Sequence, residues 1–165
     1  MSITIFTAAP LPPNDKQRSL AAVQSGLLGR VNDPSLLDIA EQGQRSFNAR
    51  WCGLLLVVDE IQHVIASSDG LIGLYRRATT FSSYVVYEPD RVFIVLDAGA
   101  DPRFAGNPFV DSGLIGFYAG AAVFDHAWLA IGALCVSDST PRSSFNEYEA
   151  SLLCGLADKV TATIS

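Results

Sequence analysis

Four strand-length apolar runs, joined two by two across short acidic turns, constrain this chain more than any other feature. WCGLLLVV (51–58) and IQHVIAS (61–67) flank Asp59-Glu60, and GLIGFYAGAAVF (113–124) and WLAIGALCVSD (128–138) flank Asp125-His126. Runs of this length, rich in branched and aromatic residues and broken by turn formers, predict two antiparallel hairpins. RVFIVLD (91–97) predicts a further strand, and TTFSSYVVYE (79–88) a short helix between the first hairpin and that strand, although its β-branched residues disfavour one.

Helical signals bracket the sheet. Asn14-Asp15 can cap a helix whose Leu20, Val23 and Leu27 recur at helical spacing before Gly29. Asp33-Pro34 starts a second helix, with Leu36, Leu37, Ala40 and Phe47 as its expected buried stripe. Near the C-terminus Ser144 and Glu147 stand at capping-box spacing, and Phe145, Tyr148, Leu152, Leu156 and Val160 line up along one face behind them. Helices at both ends of a sheet with a helical insertion make a single α+β domain over residues 14–165, preceded by a proline-rich leader over 1–13 that can add a strand.

At 165 residues the chain fits one domain, and with 49% hydrophobic and 17% charged residues it can build a core. A net charge of −6, with Arg76-Arg77 as the one adjacent basic pair, excludes a nucleic-acid surface. No apolar run reaches membrane-spanning length, and the N-terminus lacks the basic start of a secretory signal, so a cytoplasmic protein is expected. Cys52, Cys135 and Cys154 are odd in number and scattered in apolar stretches, as free buried thiols are.

DPRFAGNPFVDSGLIGFYAG (101–120) carries two helix starts in series. Asp101 can cap a turn with Pro102 at its first position, and Asn107 can cap another with Pro108. The amides at both starts either attract an anion or are already satisfied by the Asp101 and Asn107 side chains.

DPRFAGNPFV, then FYAGAAVF, then IGALCVSDSTPRSSFNEYEASLLCGLADKV, in this order and spacing, resemble the bacterial GAF domains, sensory modules related to PAS domains. The resemblance runs over nearly the whole chain. It departs from the pattern at Ser82, where a cysteine is common, at Ala122, where proline is usual, and at Asp125-His126-Ala127, where a glycine is missing.

The resemblance implies a GAF/PAS-like antiparallel sheet with the N- and C-terminal helices on one face. On the other face it implies a ligand pocket roofed by short helices and loops, to which residues 101–112 belong. The residues themselves offer Phe81, Tyr84, Phe93, Phe104, Phe109, Phe117 and Tyr118 as apolar walls, with Arg103 and Asn107 as polar groups. The alternative is that these aromatics simply fill the core.

No catalytic constellation is visible. G-x-S-x-G is absent, His63 and His126 read as strand-surface and turn residues, and neither C-x-x-C nor H-x-x-x-H spacing occurs. No cysteine lies between Cys52 and Cys135, so a covalent bilin is not expected, and neither is haem; SFNEYE (144–149) lacks the family's cyclic-nucleotide set. The GAF enzymes that reduce free methionine sulfoxide cluster three cysteines in pocket-side segments, where this chain has none. The expectation is a sensory domain that binds a small molecule, forms a homodimer through its terminal helices and signals to a histidine kinase or cyclic-dinucleotide enzyme. A ligand-free dimerisation module is the alternative and a sulfoxide reductase the third reading. The end at KVTATIS fits either a fragment or a stand-alone regulator.

Overall fold

The computed structural model describes residues 6–165. Six antiparallel strands form one sheet in the order β3-β2-β1-β6-β5-β4: β1 Trp51–Val58, β2 Ile61–Ser67, β3 Gly73–Arg76, β4 Phe93–Val95, β5 Phe117–Phe124 and β6 Ala130–Asp138. Both expected hairpins are present, and β1 and β6 pair at the centre, with Trp51 opposite Ser137 and Leu56 opposite Gly132. The central strands are buried on both faces, so alternate residues feed two cores.

One core lies under the long helices, α1 Asp15–Gln24, α2 Pro34–Ser46 and α5 Glu147–Ala162. It receives Cys52, Leu54 and Leu56 from β1, with Phe117, Ala119, Ala121 and Val123 from β5. The other core lies under α3 Ser82–Tyr87 and α4 Pro108–Asp111, and it receives Leu55, Val57, Tyr118 and Ala122. The terminal helices therefore share one face, as expected, and the short elements cover the other.

Several elements differ from their sequence-based expectations. The first helix has no side-chain hydrogen bond from Asn14, and Leu20 and Val23 are 56% and 50% exposed. It buries Arg18, Ser19, Ala21 and Ala22 instead, because the Arg18 guanidinium donates to the Val57 and Ala130 carbonyls at one end of the sheet. Leu27 is buried, but in a separate turn beyond Ser25.

The last helix is capped two residues later than the Ser144–Glu147 reading. Asn146 accepts from the Glu149 amide, and the Glu149 carboxylate accepts from the Asn146 amide. That register turns Leu153, Leu156, Ala157 and Val160 inward and leaves Tyr148 77% exposed. Phe145 lies before the helix, packed between Phe47 and Phe117.

The GLYR strand at residues 73–76 escaped the sequence reading because its side chains are mostly exposed and carry no alternating pattern. The strand expected over 91–97 contracts to three residues at the opposite edge. Residues 6–13 of the leader form no strand; Thr7 donates its amide to the Arg103 carbonyl and accepts from the Tyr84 hydroxyl. Residues 1–5 lie outside the described residues.

Candidate functional site

The face opposite the long helices holds a cavity of about 390 Å³. Its floor is the sheet: Trp51 and Leu55 from β1, Gln62 and Val64 from β2, Tyr118 from β5, Cys135 and Ser137 from β6. Its roof is Leu71, Tyr75 of β3, Thr80, Phe81 and Ser82 on one side and Phe109, Leu114 and Ile115 on the other. A pocket of this size, mostly apolar with a few polar groups, suits a small molecule.

Two glycines shape that floor by what they lack. A Cβ on Gly53 would stand 2.1–2.8 Å from three atoms of the Trp51 benzo ring, so the indole lies along β1 over Gly53. On β5, a Cβ on Gly120 would meet the Tyr118 hydroxyl and Val85 Cγ2, each at 2.8 Å, so Tyr118 leans over Gly120 in the same way. Asp69 fixes the Trp51 ring by accepting from its Nε1 at 3.2 Å.

The second of the two turns in series reaches the roof at Phe109, and the first packs behind it through Phe104 on Phe81. Asp101 accepts from the Arg103 amide and Asn107 from the Phe109 amide, so both side chains cap as the proline spacing implies. These caps satisfy the amides that an anion would otherwise take. Asn107 is buried and its Nδ2 donates to the Thr79 carbonyl, which ties the two halves of the roof together.

The nine sequence-predicted residues divide among four places. Phe81, Phe109 and Tyr118 line the cavity. Tyr84, Phe93 and Arg103 line a separate cleft of about 350 Å³ on the outer side of α3. Phe104 and Asn107 are buried in the wall between them, with Phe104 stacked on Phe81 at 4.1 Å. Phe117 points to the helical face and packs on Phe145. Arg103 donates to both carboxylate oxygens of Asp101 and lies over the rings of Tyr84, Phe93 and Phe104. That carboxylate holds Arg103 above its ordinary range.

Sequence reading missed Trp51, Gln62, Ser137 and Cys135. The signal for the first was the Trp-x-Gly spacing that opens β1; Gln62 was legible as a polar residue inside an apolar strand. Cys135 is 1% exposed and forms part of the cavity floor, so one thiol does stand on the pocket side. Burial pushes it up to about 12, which leaves it a neutral thiol at ordinary pH. Tyr118, 4% exposed, makes no hydrogen bond through its hydroxyl among the described residues. No group of three or more metal-ligating side chains occurs among the described residues, and no helix is long and apolar enough to cross a membrane.

A buried ionic cluster joins the roof to the helical face. Arg77, between the roof residues Tyr75 and Thr80, donates to both oxygens of Asp15 at 2.8 and 2.9 Å, and Arg18 donates to the same carboxylate. Thr80 hydrogen-bonds to the Arg77 carbonyl through both its amide and its hydroxyl. Burial alone would raise the Asp15 carboxyl; the hydrogen bonds from Arg77 and Arg18 outweigh it and set the group below the usual range.

The profile of the GAF domain family matches residues 34–164. The chain belongs to the GAF family. It is similar, at 32% identity over 157 residues, to a cyclic di-GMP phosphodiesterase from Pseudomonas aeruginosa. That match covers 94% of this chain but 26% of the relative, so the chain spans about a quarter of its length. Among solved structures, the GAF domain of an Acinetobacter phosphoenolpyruvate-protein phosphotransferase superposes with a TM-score of 0.61 at 15% identity, over 87% of this chain and 90% of that one. The chromophore-binding domain of a bacteriophytochrome from R. palustris superposes with a TM-score of 0.59 at 19% identity, over 93% and 62%. The sheet order and its helix-covered face are thus those of GAF domains.

Proposed function

We propose that this GAF domain is a sensory module of signal transduction inside the cell, in which a small molecule occupies the cavity between sheet and roof. The cavity carries the reading: it is preformed, it is aromatic and apolar, and its roof is mechanically tied to α1. Occupancy repositions the 77–82 and 107–115 segments, and the Arg77–Asp15 pair passes that change to the first helix. The helices then bias an output partner such as a histidine kinase or a cyclic-dinucleotide enzyme, the second supported by the likeness to the phosphodiesterase. Exposed Leu20 and Val23 on α1, with Tyr148 on α5, support pairing of the terminal helices in a homodimer. In this reading the domain binds its ligand without turning it over, which the neutral Cys135 thiol supports.

The exposed apolar residues of α1 equally favour the second reading, a dimerisation module that needs no ligand. Thermal unfolding against a metabolite panel separates the two. A true ligand at a hundredfold excess over its Kd raises Tm by roughly 5 °C or more, and Ser137→Phe, which fills the cavity, abolishes the shift. No shift with any metabolite, in a protein that remains a dimer, establishes the ligand-free module instead.

A further inference from the structure

Resting on the reading of the cavity as a ligand site, we propose that its occupant is an elongated, flat, uncharged aromatic molecule, laid against Trp51 and reaching inward to the Gln62 amide. Three observations carry this. The first is shape. Trp51 opens β1, while Gln62 pairs with Val57 near its other end, six residues away. Six residues of strand span roughly 20 Å, and the indole leaning over Gly53 takes up about two of them. Roughly 13 Å then separates ring from amide, a length that linked aromatic rings cover and a single ring does not.

The second is the lining. Trp51, Tyr75, Phe81, Phe109 and Tyr118 all contribute rings, and Tyr75 meets Phe109 edge-on at 5.8 Å. Trp51 is held from two sides, by the Asp69 carboxylate and by the bare Cα of Gly53, so its orientation is set before a ligand arrives. A preset ring favours a planar partner over a flexible aliphatic chain, which loses more conformational freedom on entering.

The third is charge. The buried polar groups of the cavity, Gln62, Thr80, Ser82, Ser137, Tyr118 and Cys135, are all neutral. The charged residues of the lining, Arg50 and Asp69, are exposed at its mouth. Asp69 is already engaged by Trp51, Ser67 and the Leu71 amide. An anionic ligand would lose its hydration with no cation inside to replace it. Gln62 is 8% exposed; its oxygen accepts from Ser82, and no hydrogen bond from its amide nitrogen occurs among the described residues. A donor so placed asks for a neutral acceptor on the ligand.

The test uses the full chain with Trp128→Phe, so that Trp51 is the one tryptophan left to report. Three probes are titrated: flavone, the equally flat anion 2-phenylquinoline-4-carboxylate, and the neutral flexible 1-dodecanol. Flavone is expected to quench Trp51 and to bind at least tenfold more tightly than either of the others. By calorimetry, Trp51→Leu and Gln62→Leu should each weaken flavone roughly tenfold, whereas Trp51→Phe, which keeps a ring, retains most of the affinity. Binding of the anion or the alcohol as tightly as flavone, or of flavone without regard to Trp51 and Gln62, overturns the ligand class and leaves the cavity a ligand site. Failure of all three probes overturns the ligand class, and failure of the metabolite panel besides overturns the sensory reading with it.

Discussion

Phe117 and Tyr118 are sequence neighbours with opposite destinations: one fills the core under the long helices, the other floors the cavity. Strand alternation guarantees that they part, but the two faces of a doubly buried strand look alike in sequence. The same limit hid Cys135, which shares β6 with residues of the other face. Its place beside the cavity makes thiol chemistry the sharpest residue-scale test. Burial puts Cys135 up to about 12 and Cys52 higher still, while Cys154 is exposed on α5. Native protein at neutral pH should therefore react with a thiol-specific disulfide reagent at Cys154, with two further thiols appearing on unfolding. Fast native labelling of Cys135 would reverse that assignment and bring back a thiol-dependent enzyme.

The elements were legible wherever pattern and capping agreed. The two hairpins, the Asp33 cap and the paired caps at Asp101 and Asn107 all follow from local rules. The first helix did not, because its inward side is organised by a buried arginine rather than by leucines, and no local periodicity announces an ionic core. That cluster also gives α1 its expected sensitivity. Asp15→Ala leaves Arg18 and Arg77 buried without their carboxylate and should cost about 3 kcal/mol in urea unfolding.

The pH dependence has a definite sign. The folded carboxyl titrates below its ordinary value, so its contribution is fully present above the unfolded value of about 4. It is lost as pH falls through the lower, folded value. The wild-type protein should therefore lose stability below about pH 4 more steeply than Asp15→Ala; parallel curves would show that the cluster carries no such linkage.

For the whole molecule, a twice-covered antiparallel sheet with long helices on one side and short capped turns on the other was legible from the ordered motifs, and the family profile agrees. The cavity itself was only partly legible. Of DPRFAGNPF only Phe109 lines it, and its floor depends on which alternate residues face it and on two glycines over which aromatic rings lie. Those are properties of paired strands and side-chain direction, not of any short stretch.

If a small molecule occupies this cavity, native mass spectrometry of protein purified from its own organism detects it. The spectrum should show the protein carrying a bound compound of roughly a few hundred daltons per chain, absent from Ser137→Phe. The unliganded mass alone in both proteins would contradict that occupancy.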